Sequence, residues 1–273
     1  EIHKAGLMES TLRMDSNKHK VAALRELLGE KVIPGNSDND LERWLVARDY
    51  NVKKANDMYL AHLQWRKRWD IDVIHEWKSP EVLSKYYSYG FMGCDKDDNP
   101  VYIMPVGKTD VRGLLASVTP EEFIKYTFLK MEEQLRSPLG PSGEVSMIFD
   151  MDQLSMSDIL FKQGLEVCKT IVQSYADNYP ERLNKIYILN VSSVFYAIYT
   201  ILKPFLPSNT LRKIVIFRDF NEACRRLADD IPAESLIKAY GGTKVGTDGD
   251  PYCADQILYG SPVPKSYYKS ENL

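Results

Sequence analysis

No histidine follows His75 in this chain of 273 residues, and His3, His19 and His62 precede it. The long remainder therefore lacks the commonest general base, and with it the usual Ser-His and Cys-His nucleophile pairs. Cysteine is equally sparse. Cys94, Cys168, Cys224 and Cys253 form no C-x-x-C pair and have no histidine at ligand spacing, which argues for reduced structural thiols rather than a disulfide framework or zinc site. No G-x-x-x-x-G-K-[ST] loop, G-x-S-x-G elbow or G-x-G-x-x-G after a strand occurs, and Gly241 to Gly246 reads as a helix cap and turn. Neither charge dominates. With 35 basic and 38 acidic side chains and a net charge of −3, the chain has no basic excess for nucleic acid, which is not an expected partner.

No apolar run is long enough for a membrane span, which needs about 20 residues. The longest uncharged stretch, IYILNVSSVFYAIYTIL from Ile186 to Leu202, is interrupted by Asn190, Ser192, Ser193 and Thr200. Ile186 to Leu189 is β-branched and aromatic, the mark of a short buried strand, and Ser192 and Ser193 are N-cap material for a helix beginning near Val194. That helix is apolar nearly all round. Val194, Phe195, Ile198, Leu202 and Phe205 form one stripe, with Tyr196, Ala197 and Tyr199 on the other side. Each large apolar side chain left in water forfeits roughly 1.5–3 kcal/mol, so the helix must face sheet, ligand or lipid.

The first 75 residues read as a small helical bundle. Leu41, Leu45 and Val46 recur at helical spacing after Ser37, and Val52, Ala55, Met58, Tyr59 and Leu63 do so after Asp49. Asp95 to Asn99 is a hairpin tip. It mimics the start of a calcium loop, but Pro100 and Val106 stand where that motif needs Gly and an acid. Strands at 101–106, 145–151, 186–189 and 213–217 then alternate with helices at Thr119 to about Arg136, across Ser157 to Tyr175, and after Ser193. Strand and helix in alternation predict an α/β domain over 76–246 with a mostly parallel sheet, and 247–273 reads as an exit segment. No apolar h-region stands near the N-terminus, Glu1 without an initiator Met leaves a processed start open, and a cytoplasmic location with peripheral membrane contact is expected.

Two features carry chemistry. Asp150 and Asp152 flank a strand end, where ligands bind in α/β sheets, so carboxylate catalysis or a metal there is the weaker alternative. Residues 181–226 hold eight basic side chains (Arg182, Lys185, Lys203, Arg212, Lys213, Arg218, Arg225, Arg226) against three acidic ones (Glu181, Asp219, Glu222). An apolar helix framed by cations is how an interfacial element meets anionic lipid, and a solvated rim is the plainer reading.

The segments DNDLERWLVARDYNVKKA, GCDKDDNPVYIMPVG, DNYPERLNKIYILNVSSVFYAIYTILKPFL, TLRKIVIF and YGGT resemble, in order, those of the CRAL-TRIO lipid-carrier family. The likeness is greatest to an animal branch that includes retinal-, squalene- and tocopherol-associated carriers and in which a GOLD domain commonly follows. It implies an N-terminal bundle, a sheet-floored hydrophobic cavity and a mobile gate helix, here VSSVFYAIYTILKPFL. The implied lining comprises Val145, Met147, Phe149 and Met151 on one strand face, Phe195, Ile198 and Leu202 on the gate, and Tyr126, Phe161, Tyr175 and Leu189 nearby. Lys203, Arg212 and Lys213 are assigned to the membrane or phosphate side. Inositol-lipid-transferring members use a Glu and a Lys at the positions of Glu181 and Lys213, plus two hydroxyl side chains where this chain has Val145 and Met147. A less polar cargo, a retinoid first and tocopherol or squalene next, is therefore expected. The expected partners are that ligand, a transient membrane surface, and donor and acceptor proteins. Neither an enzymatic activity nor a cofactor is expected.

Overall fold

The fold is described by a computed structural model over residues 17–136 and 142–269. His3 and the first sixteen residues of the expected bundle lie outside that range, as do 137–141 and 270–273. The chain divides into two compact units, one of residues 1–70 with 177–181 and one of 71–176 with 182–273.

The first unit is helical. Helix α1 spans 17–28, α2 Asp38–Val46 and α3 Val52–Trp69. The start of α2 is a capping box: Ser37 accepts from the Asp40 amide while the Asp40 carboxylate accepts from that of Ser37. Asn51 caps α3 by a single bond, its side chain accepting from the Lys54 amide at 3.0 Å. Val21, Leu24 and Leu28 of α1 close on Leu41, Trp44, Leu45, Ala55, Met58 and Tyr59. The Tyr59 hydroxyl, buried with them, accepts from the Ile33 amide (2.9 Å) and the Asn36 side chain (3.1 Å). The segment Asp177–Glu181, distant in sequence, belongs to this unit: Asn178 bonds His62 at 3.1 Å, Tyr179 packs edge-on to Trp65, and the Glu181 carbonyl accepts from Arg43.

The second unit is built on a six-stranded sheet in the order β5-β4-β3-β2-β1-β6. Helix α4 (Glu81–Tyr86) leads to β1 (Tyr89–Cys94), which pairs antiparallel with β2 (Pro100–Met104). Helices α5 (Val111–Ser117) and α6 (Pro120–Arg136) carry the chain to β3 (Val145–Asp150). Then come α7 (Met156–Leu160), α8 (Lys162–Asn178) and β4 (Leu183–Leu189). Helices α9 (Ser193–Leu202) and α10 (Ser208–Lys213) precede β5 (Ile214–Ile216), and α11 (Phe220–Asp230) precedes β6 (Ile257–Leu258). From β2 to β5 all neighbours are parallel, with helical crossovers between them, so this is the mostly parallel α/β sheet that the alternation predicts.

Two expectations change. The single helix across Ser157 to Tyr175 is two, α7 and α8, parted at Phe161. A Ser155–Asp158 capping box starts α7, and Phe161 leaves the helix to lay its ring against Gly164, where an added Cβ would sit 2.7 Å from it, and under the Arg112 guanidinium at 4.5 Å. The exit segment is also not a mere tail. Within it β6 pairs with β1, and the close approach needs Gly90, since a Cβ there would lie 2.6 Å from Ile257. Val263 is buried and donates its amide to Asp110 at 2.9 Å.

The hairpin tip holds no cation loop. Asp95 is buried and accepts from the amides of Asp97 and Asn99 and from the side chains of Asn99, Ser146 and Asn184. A carboxylate with that many donors is satisfied by the protein itself.

Candidate functional site

The sheet carries two different faces. Strand alternation sends Val101, Ile103, Ile148, Tyr187 and Leu189 to one, where α11 supplies Ala223 and Leu227 and the later chain supplies Leu236, Ile237, Tyr240, Cys253 and Ile257. It sends Tyr102, Val145, Met147, Leu183, Ile186 and Ile188 to the other, where Val191 and Phe195 cover them. In β4 one extra residue intrudes, for Val145 and Met147 are two apart while their partners Leu183 and Ile186 are three apart. This bulge keeps both partners on the same face.

Filling distinguishes the faces. The α11 face has fifteen buried members and only four half-buried hydrophobics around them. On the α9 face, among the described residues, eight buried members are surrounded by ten half-buried ones: Tyr89, Met104, Phe149, Met151, Leu154, Tyr175, Tyr196, Tyr199, Ile214 and Ile216. Apolar side chains aimed at a shared interior normally pack to high density. Here the chain's own atoms cover the apolar side chains less completely than on the other face.

The predicted lining sorts against this layer. Val145, Met147, Phe149, Met151, Tyr175 and Phe195 are brought together on it. Leu189 is not: it is fully buried on the opposite face, because it stands one residue, rather than two, beyond Ile188. Phe161 is engaged by Arg112 and Gly164 as described. Ile198 and Leu202 are half-buried and lie outside the cluster, whereas Tyr196 and Tyr199, assigned to the far side of the helix, pack against it. The Phe195 and Tyr199 rings stack at 5.6 Å, one turn apart. Tyr126 is buried on α6 edge-on to Tyr87 at 5.2 Å.

Helix α9 is poorly covered for so apolar a segment, with Phe195 its one buried residue. Its root is fixed. Asn190 adopts a left-handed backbone (φ 56°), which Asn tolerates, and donates its side-chain amide to Asp150 at 2.7 Å. The same buried carboxylate accepts from the Tyr240 hydroxyl (2.5 Å) and the Asp152 amide (2.9 Å). Burial and the adjacent carboxylate both push the Tyr240 pKa upward, so that hydroxyl stays a donor. Asp150 is thus an anchor for the helix root, with both oxygens engaged, and Asp152 faces Lys108 at 3.6 Å. Among the described residues no group of three or more His, Cys, Asp or Glu could hold a metal ion. At its other end α9 gives way to a turn over Lys203–Phe205 containing Pro204, which cannot continue the helical bonding.

Cations border this element. Arg218 lies 4.9 Å from the Tyr196 ring and Lys169 lies 5.2 Å from that of Phe205. Lys203 and Arg212 are exposed. Lys213 is drawn inward instead, held by Glu144 at 3.1 Å and by the Leu183 carbonyl. Beside α9 packs α7, whose Met156 and Leu160 are 54% and 72% exposed, and Ile201 of α9 is 40% exposed. Three exposed large hydrophobics on two adjacent helices are a feature that the sequence reading missed, since MSDIL alone has no periodicity to mark an outward face. An open depression of about 430 Å³ lies elsewhere, lined by Val215, Phe217, Glu222, Arg225, Arg226 and Asp229 of mixed charge.

A model of the CRAL/TRIO domain matches residues 84–242, more than half of the chain. Protein real-time of Aedes aegypti is 33% identical over 245 residues, which are 85% of this chain but 36% of that protein. The chain therefore spans about a third of that relative's length. The crystal structure of Sfh5 superposes with a TM-score of 0.67 at 16% identity, covering 91% of this chain and 93% of the other, a likeness of fold. Together with the half-open face beneath α9, the family match places this chain in the CRAL/TRIO domain family.

Proposed function

We propose that this chain is a carrier that holds one largely apolar molecule between the Val145–Met147 face and α9, and passes it to a membrane or acceptor protein. The observation that carries the reading is the contrast between faces: a closed core against α11, and ten half-buried hydrophobics around the face beneath α9. A gate needs a rigid root and a weak cover. The Asp150–Asn190–Tyr240 anchor supplies the first, and the thin burial of α9 supplies the second. Met156, Leu160 and Ile201, with Lys203 exposed in the turn after α9 and Arg212 on α10, suit contact with an anionic bilayer. No helix among the described residues is long and apolar enough to cross one.

A retinoid is the favoured cargo class, with tocopherol or squalene next, because Val145 and Met147 offer no hydroxyl to a phosphorylated head group. Binding is expected to be non-covalent and to involve no chemical turnover. Native mass spectrometry of the protein purified from its own tissue should find one apolar mass, and borohydride should fix no retinal to the chain. Saturable one-to-one binding of phosphatidylinositol that excess retinal fails to displace would replace this reading with phospholipid exchange or a phosphoinositide-responsive module.

A further inference from the structure

The apolar layer beneath α9 ends, toward β1 and β2, in a cluster of polar side chains of which the carrier reading uses only Tyr126. Tyr126, Lys130 and Gln134 recur at four-residue spacing on α6 and so form one stripe. The Lys130 ammonium lies 5.1 Å from the Tyr126 ring and 5.9 Å from that of Tyr89. Tyr89 in turn stacks on Tyr102 of the sheet floor (5.5 Å, 16°). The Gln134 side chain is 5% exposed, and its amide reaches the Met147 sulfur at 3.9 Å. These groups border the layer itself.

Each contributes a donor. Burial pushes the Tyr89 pKa well up, and the opposing hydrogen bond comes from Gln134, whose amide donates to the phenolic oxygen. With its oxygen accepting from Gln134, the Tyr89 hydroxyl keeps its own proton to donate. Burial works against the charge on Lys130, yet Glu133 and Tyr126 outweigh it and raise its pKa, so the ammonium is kept at neutral pH. Glu133, its ion-pair partner at 2.8 Å, is on the solvent side of α6, with 48% of its side chain exposed against 23% for Lys130. An exposed partner is readily exchanged for a better-desolvated one.

We propose that Tyr89, Lys130 and Gln134 form the subsite for the polar end of the cargo, and that this end is a carboxylate rather than an alcohol or aldehyde. The inference rests on the carrier reading above and narrows it to long-chain or polyene acids. A carboxylate accepts from the ammonium and the phenol together, and a charge-assisted pair of this kind outlasts a neutral one when water is excluded. An alcohol gains one hydrogen bond there and leaves the ammonium with Glu133. The protonated amine is also no nucleophile, which is consistent with an aldehyde failing to form an imine at this site.

The test measures binding of retinoic acid and of retinol, which share a skeleton, by quenching of tryptophan fluorescence. The parent should prefer the acid by about tenfold, the scale of a charge-assisted bond over a neutral one. Lys130→Met should abolish the preference while holding retinol affinity within twofold, Lys130→Arg should keep it, and Tyr89→Phe, which deletes one hydroxyl, should reduce it severalfold. Equal affinities in the parent, or a preference that survives in Lys130→Met, overturn the subsite and leave the carrier reading standing. Failure of both probes to bind the parent overturns the carrier reading and the subsite with it.

Discussion

Replacing Met156, Leu160 and Ile201 together by Ser should weaken binding to phospholipid vesicles while leaving the folded state intact. All three are already in water in the free protein, at 54%, 72% and 40% exposure, so folding gains little from them. Surface changes of that kind stay within about 0.5 kcal/mol of the parent. Insertion into a bilayer is another matter. A large apolar side chain gains about 1.5–3 kcal/mol when fully taken from water, which scales to about 1 kcal/mol each for the fractions still exposed here. Three lost together amount to about 3 kcal/mol, or roughly a hundredfold in vesicle affinity. Cosedimentation with vesicles, read beside urea unfolding of the same protein, separates the two effects. Unchanged sedimentation by the triple variant, with its unfolding midpoint preserved, would refute the assignment of α7 and α9 to the bilayer surface.

Lys203→Glu with Arg212→Glu should slow cargo delivery to anionic vesicles and flatten its salt dependence, at about 1 kcal/mol per charge near the surface; stopped-flow transfer at low and high salt reads this, with equilibrium cargo binding unchanged. Leu189→Ala should destabilise the fold by about 2–5 kcal/mol, because it leaves a cavity in the closed face, and should leave cargo selectivity as it was. Asp150→Asn, which sets an amide where the carboxylate accepts from Asn190 and Tyr240, should loosen the root of α9 and lower stability in urea unfolding without changing any lipid chemically, and a time-dependent product of the parent that is lost in the variant would restore the carboxylate-enzyme alternative. Burial opposes ionisation of Asp230, but its bonds to Lys185 and Tyr187 and the charges of Lys185 and Arg226 outweigh that and hold its pKa below the ordinary carboxylate value. A depressed carboxyl pKa contributes stability that is present above about pH 4 and is lost as pH falls through the folded value. Lys185→Met should therefore lower stability at pH 7 and shrink the difference between urea unfolding at pH 7 and at low pH.

Much of the architecture was legible because its signals are local. Ser37 with Asp40 and Ser192 before Ser193 mark helix starts whatever lies around them, and the strand and helix alternation after residue 100 admits few folds. The face shared by Val145, Met147 and Phe149 also follows from alternation, since polar Ser146 marks the other side of β3. In β4 the signal fails. Every residue of Ile186–Leu189 is apolar, so a period of two has no contrast to read, and only the paired sheet shows Leu189 turned to the closed face. Phe161 reads as part of one long helix until Arg112 and Gly164, both remote or small, capture its ring. Lys130 reads as one more surface charge on an amphipathic helix, and its place over Tyr89 depends on β1, forty residues earlier in the chain. The sequence by itself determined most of the elements, the apolar helix after Ser193 and the family pattern, which are set by neighbours within a few residues. Tertiary structure decided which side of each buried strand turns to α9 and which to α11, which cations stay exposed and which turn inward, because those depend on register and on partners that meet only when the sheet is assembled.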